Sequence, residues 1–130
     1  MYTQSTEGVR VTVTPIYLAA QSSPSQDLYV WAYKVQIENE SEVAVQLRYR
    51  HWQITNAVGV VERVDGPGVV GEQPLIKPGH SFEYTSGCPL TTPSGVMVGT
   101  YDMETADGRM LEVAIPAFSL DSPHESKRLN

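Results

Sequence analysis

Hydrophobic residues recur along most of the chain at every second position rather than at every third or fourth. Glycine or proline also interrupts the sequence too often for a long helix. The clearest alternation covers residues 28–38, where one face carries large apolar side chains: Tyr29, Trp31, Tyr33, Val35 and Ile37. This pattern predicts a chain built mainly of β-strands, with that face in the core.

The first alternation in the sequence predicts an edge strand. Val9, Val11 and Val13 alternate with polar residues and are followed by Pro15. Proline cannot donate a ladder hydrogen bond, so it is placed most easily where a strand lacks a neighbour. An unpaired edge over residues 9–14 could support a homodimer.

The middle of the chain predicts a hairpin followed by a bulge. The strand at 28–38 and the alternation beginning at Val43 are separated by a short acidic turn at 39–42, which favours a hairpin between them. Counted by alternation along the second strand, Trp52 falls on the face that carries the polar residues. One extra residue near 50–51, a β-bulge, would turn it inward.

Shorter alternations predict further strands at 60–64, 82–84, 96–104 and 109–115, the last two joined by a tight turn at Asp107-Gly108. With no helix to cover a sheet face, the strands must form two packed sheets or a closed barrel. We favour an all-β, two-sheet antiparallel sandwich of the immunoglobulin or fibronectin type III kind.

Charge and cysteine content narrow the classes of partner and compartment. Nine basic residues against fifteen acidic ones give a net charge of −6, which disfavours nucleic acid as a partner. Cys88 is the single cysteine, so no intramolecular disulfide can form and a reducing compartment fits best. No signal-like start and no stretch near the roughly 18 apolar residues of a span are present, so we expect a cytoplasmic protein without a membrane partner.

Three glycines have the G-x-G-x-x-G spacing of dinucleotide-binding loops: Gly66, Gly68 and Gly71. Pro74 follows where that motif needs a helix, so a helix dipole cannot contribute. A nest of backbone amides could still bind phosphate, helped by Arg63 or Lys77. The alternative is a tight connection that needs positive φ angles.

A second candidate surface is for protein binding and comprises Arg50, His51, Trp52 and Gln73. Exposed aromatic and arginine side chains often anchor interfaces. The alternatives are that Trp52 belongs to the core, and that Arg48 and Arg50 share a solvated outer face.

Catalytic and metal sites have weaker support. The three histidines lack zinc-site spacing, and four acidic residues could at most form a hard-cation site: Asp65, Glu72, Asp102 and Glu104. Cys88 has no adjacent base, and a hydrolase would have only Asp65, Glu72 and His80 to use. We predict a protein that is not an enzyme, with no metal site and no cofactor, although a divalent cation could accompany a ligand.

Several runs of residues together resemble the ApaG family: 51–57, 64–74, Tyr84-Thr85-Ser86-Gly87, 92–95 and 115–118. Asn56 stands where an aspartate is common in that family. The resemblance covers the chain from about Val9 to Pro123 and implies a fibronectin type III-like fold, so we assign residues 1–123 to one domain. The polar composition at the end of the chain predicts a disordered tail at 124–130.

The resemblance also implies function. Bacterial members, also called CorD, are associated with cobalt resistance and magnesium efflux. Eukaryotic relatives are domains of F-box proteins and of a DNA polymerase delta-interacting protein, which implies binding to a protein partner. The family's glycine motif has been proposed to bind pyrophosphate. We therefore expect a protein-interaction module, with a binder of nucleotide polyphosphate at residues 66–71 as the alternative.

Overall fold

The computed structural model describes residues 1–124. Nine strands follow one another, with two short 3-10 turns at Ala19–Gln21 and Pro24–Gln26. The strands are β1 (Tyr2–Thr6), β2 (Val9–Tyr17), β3 (Tyr29–Asn39), β4 (Val45–Asn56), β5 (Val61–Pro67), β6 (Leu75–Ile76), β7 (Ser81–Leu90), β8 (Gly95–Thr105) and β9 (Met110–Leu120). Over this described range there is no α-helix, and none long and apolar enough to cross a membrane.

The strands form two antiparallel sheets that pack face to face. One has the order β1-β2-β3-β7, and the other has the order β5-β4-β8-β9 with β6 paired to the start of β4. The inner faces of both sheets supply the core. The predicted two-sheet sandwich is confirmed.

The core follows the alternation that the sequence shows. Every second residue of β3 is buried from Tyr29 to Asn39. Trp31 is 1% exposed, and its indole N–H donates to the carbonyl oxygen of Asp121 at 2.8 Å. Burying a large apolar side chain contributes about 1.5–3 kcal/mol each, so this strand is a main source of stability.

The predicted hairpin between β3 and β4 is wrong. β3 pairs with β2 and β7, whereas β4 lies in the opposite sheet. Asn39, the last residue of β3, is buried and donates through Nδ2 to the carbonyls of Val43 at 2.8 Å and Ile76 at 2.9 Å. These bonds hold the connection that takes the chain from one sheet to the other. A short polar turn can form such a connection as readily as it can form a hairpin.

The predicted β-bulge exists but lies earlier in β4. The register against β8 shifts between Leu47 and Tyr49 instead of at 50–51. Tyr49 is therefore turned outward and is 50% exposed, while Arg50 joins Trp52 on the inner face. The prediction that Arg48 and Arg50 share an outer face is wrong, because the bulge separates them.

The predicted edge at residues 9–14 is also wrong. Val9 to Val13 pair with β1 on one side and with β3 on the other, so β1 forms the edge. Pro15 pairs with Tyr33 on one side and lies beyond the part of β2 that pairs with β1 on the other. The missing N–H of proline therefore leaves no acceptor of β1 without a donor. This segment therefore gives no support for a homodimer, and the oligomeric state stays a prediction.

The hairpin of β8 and β9 is as predicted. The two strands pair directly, and Gly108 closes the turn with its N–H on the carbonyl of Thr105 at 2.9 Å. At the end of the described chain, the ring of His124 lies 6.0 Å from that of Tyr17 and 6.1 Å from that of Tyr29. The rest of the predicted tail, 125–130, lies outside the described residues.

Candidate functional site at the cleft between strands β5 and β7

One long side of the sandwich, the β1/β9 side, is closed by contacts between the two sheets. The hydroxyl groups of Tyr2 and Ser119 are 2.9 Å apart, and the N–H of Ala114 donates to Oγ1 of Thr6 at 3.1 Å. The ring of Tyr2 also lies 6.0 Å from that of Phe118. These contacts join the two sheets along this side.

The other long side is open. Strand β5 ends one sheet and β7 ends the other, and within residues 1–124 no hydrogen bond joins them. Between them runs a groove, here called the β5/β7 cleft, with adjoining cavities of about 200 and 230 Å³. Its principal lining residues are Tyr33, Arg50, Trp52, Val64, Ser86 and Cys88.

The floor of the cleft is aromatic. The rings of Tyr33 and Trp52 meet edge to face at 5.4 Å. Beside them, the hydroxyl groups of Tyr84 and Tyr101 form a buried hydrogen bond across the two sheets. Burial raises the pKa of both phenols, so both hydroxyls stay protonated at neutral pH.

Arg50 provides a positive charge in this cleft. Its Nη1 donates to the carbonyl oxygens of Pro67 at 3.0 Å and Gly68 at 2.9 Å. Across the described residues, no carboxylate lies within 4.0 Å of its guanidinium, in contrast to Arg10, Arg48 and Arg109. An arginine held in place by neutral carbonyls keeps its charge available for a ligand.

The glycine motif forms the support for Arg50. A Cβ added at Gly66 would lie 3.2 Å from Nη1 and Nη2 of Arg50, so glycine leaves room for the guanidinium. Gly68 has a φ of +62°, and a Cβ there would meet the carbonyl oxygen of Glu72 at 2.2 Å. The motif therefore makes a tight connection with positive φ angles, as one of the two sequence hypotheses expected.

Several amides of this loop are already used within it. The N–H of Gly68 donates to the carbonyl of Arg48 at 2.8 Å, and Val69 and Glu72 exchange N–H to O bonds at 2.8 and 2.9 Å. Val70 at the tip has a φ of +44°, which is strained for a β-branched residue. The tip amides of Val70 and Gly71 have no acceptor among the hydrogen bonds within residues 1–124.

The two basic residues predicted to help the glycines lie elsewhere. Arg63 pairs with Gln53 and projects from the outer face of β5, where it lines a shallow depression beside His51. Lys77 follows β6, about 20 Å along the sheet from Gly66 at roughly 3.3 Å per residue. Phosphate binding by this set stays a prediction, and the structure does not bring its members together.

The predicted protein-binding residues divide between two faces. Trp52 is 4% exposed and belongs to the core, and Arg50 lies in the cleft. His51 points to the opposite, outer face. Gln73 is also outside the cleft, where its Oε1 accepts a bond from Nη1 of Arg48 at 3.0 Å. Protein binding by these residues stays a prediction.

Comparison with known proteins establishes the family. The sequence model described as the ApaG domain matches residues 19–105. A protein named ApaG from Paramagnetospirillum magneticum is 61% identical over 130 residues and covers 100% of both chains.

The chain belongs to the ApaG family.

Other relatives agree with this assignment. Protein ApaG from Rhodospirillum centenum is 62% identical over 130 residues, again 100% of both chains. A crystal structure described as the ApaA protein from Bordetella pertussis is 50% identical, covers 89% of this chain and 94% of that chain, and superposes with a TM-score of 0.86. The resemblance that the sequence motifs suggested is confirmed.

An ion-pair cluster on the outer face was not predicted for this ApaG-family chain. Nε2 of His51 lies 2.7 Å from Oδ2 of Asp102, and Nδ1 lies 2.6 Å from Oδ1 of Asp65. The hydrogen bond to Asp102 and then the one to Asp65 raise the pKa of His51 above its ordinary 6.5. A protonated ring donates to both carboxylates, so this cluster fastens β5 to β4 and β8.

The other polar candidates are dispersed or neutralised. Glu104 pairs with Nη2 of Arg48 at 2.9 Å, and His80 lies in the turn before β7, away from Asp65. Across residues 1–124, no three His, Cys, Asp or Glu side chains are placed to hold a metal ion. Burial raises the pKa of Cys88 to about 11, which makes the thiol a weak nucleophile at neutral pH.

Among the cleft residues that were not predicted from the sequence are Tyr33, Tyr84 and Ser86. Tyr33 was assigned to the core by its alternation, and this is correct for most of its surface. Tyr84 and Ser86 stand in the run used to recognise the family. Their spacing of two placed them on one face of β7, but nothing in the sequence shows that Arg50 lies opposite.

Proposed function

We propose that this ApaG-family chain is a non-enzymatic binding module whose β5/β7 cleft receives an extended segment of a partner protein. The observation that carries the proposal is that, within residues 1–124, two sheet edges without a neighbouring strand border a cleft that contains an arginine without a carboxylate partner. A segment added to a free edge gains main-chain hydrogen bonds, and its alternate side chains enter the groove beside it.

Strand β7 is the better edge for such addition. β5 carries three charged residues and a proline in seven positions, features that discourage pairing: Glu62, Arg63, Asp65 and Pro67. β7 has ten residues, with Glu83 as its only charge and Pro89 near its end. We therefore expect the partner segment to pair with β7 while β5 forms the opposite wall.

The shape of the cleft also favours a polypeptide segment. Three cavities follow one another along the groove: one of about 200 Å³ beside Arg50, one of about 230 Å³ in the middle and one of about 330 Å³ at Glu62. Neighbouring cavities share lining residues, so together they form a long groove rather than one enclosed pocket. A strand laid along such a groove can place one side chain in each cavity.

A matched pair of variants on β7 tests the proposal. Ser86→Phe places a ring in the cleft, whereas Thr85→Phe places the same ring on the opposite, exposed face of the strand. A library of random peptides displayed on phage is selected against the wild-type protein, and the enriched peptides are titrated against both variants. We expect Ser86→Phe to abolish binding and Thr85→Phe to retain it. Equal binding by the two variants would contradict the proposal.

Binding of nucleotide polyphosphate is the second candidate function. It is favoured by the position of Arg50 beside the tip amides of Val70 and Gly71, which line the same cavity. The test is a titration with ATP, GTP and a dinucleoside polyphosphate, with and without magnesium or cobalt, while backbone amides are followed by NMR. Silent amides at residues 66–71 at millimolar ligand would eliminate it. The link to cobalt resistance and magnesium efflux stays a prediction from the family.

A further inference from the structure

Resting on the proposed function, we infer that Arg50 selects the partner segment by binding the carboxylate of an acidic side chain. The segment runs antiparallel to β7, and its acidic residue follows a basic residue by four positions. The specificity is thus of the form Lys-x-apolar-x-Glu, where x is any residue.

The hydrogen bonds of Arg50 leave one pair of donors for this carboxylate. Both Pro67 and Gly68 are bonded through Nη1. Within residues 1–124, Nε and Nη2 have no acceptor, and these two atoms form one edge of the planar guanidinium. That edge matches the two oxygens of a carboxylate in a bidentate pair. Because the protein has a net charge of −6, an isolated cation in a cleft is a specific feature rather than part of a basic surface.

The opposite end of the cleft carries a negative charge. Glu62 lines it together with Ile54 and Pro89. Arg50 pairs with Gly66 and Ile54 pairs with Glu62, so the two charges are four residues apart along β4, about 13 Å at roughly 3.3 Å per residue. An extended segment advances by the same distance in four residues and can therefore match both charges.

The middle of the cleft fixes the apolar position. Between the two charged ends lie Trp52, Val64 and Cys88. In an extended segment, positions two apart face the same side, so the residue midway between the basic and acidic positions enters this apolar part. Charges at both ends and an apolar centre together define the spacing.

The direction of the segment follows from the course of β7. Tyr84 lies at the Arg50 end of the cleft, and Pro89 lies at the Glu62 end. Antiparallel pairs outnumber parallel ones roughly two- to three-fold, and an antiparallel segment passes Glu62 first and Arg50 last. β7 begins at Ser81, before Tyr84, so the added strand can continue past Arg50 and present a side-chain carboxylate rather than its terminus.

The test uses four synthetic nonapeptides of alternating valine and threonine, labelled at the amino terminus. The first three are amidated at the carboxyl terminus: one carries Lys-x-x-x-Glu, one the reversed Glu-x-x-x-Lys, and one has glutamine in place of glutamate. The fourth has glutamine and a free carboxylate. Fluorescence anisotropy gives the Kd for each, and the amide signals of β7 locate the binding.

We expect the first peptide to bind most tightly and the glutamine peptide to bind about 30-fold more weakly. Arg50→Gln should remove this difference, and Arg50→Lys should restore only part of it, because lysine cannot form the bidentate pair. Arg63→Gln is the matched control, since it removes the same charge from the outer face of β5.

The outcomes separate the inference from the proposed function. If all four peptides shift the β7 amides with the same Kd, the binding module stands and the role of Arg50 is overturned. Tighter binding of the reversed peptide would overturn the proposed antiparallel direction. Tighter binding of the glutamine peptide with a free terminus would show that Arg50 binds the terminal carboxylate rather than that of a side chain. If no peptide shifts the β7 amides, both ideas are contradicted.

Discussion

The two long sides of this sandwich are built from similar strands but have opposite properties. On the β1/β9 side, side-chain hydrogen bonds of Tyr2 and Thr6 cross between the sheets. On the β5/β7 side, the sheets as described over residues 1–124 end in unpaired edges around a cleft, with Arg50 held by backbone carbonyls. A sandwich needs its inner faces buried, and one closed side suffices to align the two sheets, which leaves the other side available for binding.

The ring cluster that extends from the closed side to the floor of the cleft should be the most sensitive part of the fold. Phe118 is 1% exposed and its ring contacts those of Tyr2, Tyr33 and Trp52 at 5.9 to 6.0 Å. Phe118→Ala removes this packing and leaves a cavity, which should lower the free energy of unfolding by about 3–5 kcal/mol in urea titrations. Met110→Ala, on an exposed position of the same strand, should cost less than about 0.5 kcal/mol.

The loop at the end of the open side should be next in sensitivity. Gly68→Ala adds a Cβ that meets the carbonyl of Glu72 at 2.2 Å, and it does so at a positive φ. We expect a loss of about 2–3 kcal/mol in the free energy of unfolding. Gly71→Ala is the matched control, since it has a φ of +81° but no atom within 4 Å of the added Cβ, and should cost about 1 kcal/mol. Equal losses would contradict the tight contact.

The tyrosine pair beneath the cleft should come third. Tyr84→Phe leaves the buried hydroxyl of Tyr101 without its partner, which should cost about 1–3 kcal/mol. Tyr84→Phe combined with Tyr101→Phe removes both hydroxyls and should recover part of that loss. Denaturant titrations of the two single variants and the double variant complete the cycle. A double variant as unstable as the sum of the two single ones would show that the hydroxyls act independently.

The smallest effect is expected from the His51 cluster that fastens β5 to its sheet. Asp102 and Asp65 raise the pKa of His51 in the folded protein, so the pairs stabilise the fold fully below the unfolded pKa near 6.5, and this stabilisation is lost as pH rises through the folded pKa. Because the pairs are partly exposed, we expect about 0.2–1 kcal/mol. NMR titration of the ring should show a larger fall in its pKa for Asp102→Asn than for Asp65→Asn. The reverse order would contradict this account.

The alternation of apolar residues predicted β3 and the β8–β9 hairpin because side-chain burial decides both. It failed where two arrangements bury the same side chains. The polar turn after Asn39 could close a hairpin or cross between sheets, and the bulge could lie on either side of Tyr49, a large apolar residue that is exposed. β1 has little alternation of its own, so its pairing with β2 was not visible.

The candidate site was harder to predict than the fold. The glycines were recognised as a motif, but their role depends on contacts with Arg50, which stands 16 to 18 residues earlier in the sequence. The cleft also joins Arg50 of β4 to Ser86 of β7, two strands in different sheets. Only the three-dimensional arrangement of both sheets brings these residues together.

Amide hydrogen exchange with a cleft-binding peptide tests the central claim most directly. Exchange is measured residue by residue for the free protein and at saturating peptide. If the open side receives an added strand, the outward amides of β7 should exchange more slowly, while those of β1 and β9 should be unchanged. Protection on β1 or β9, or unchanged exchange along β7, would contradict the account.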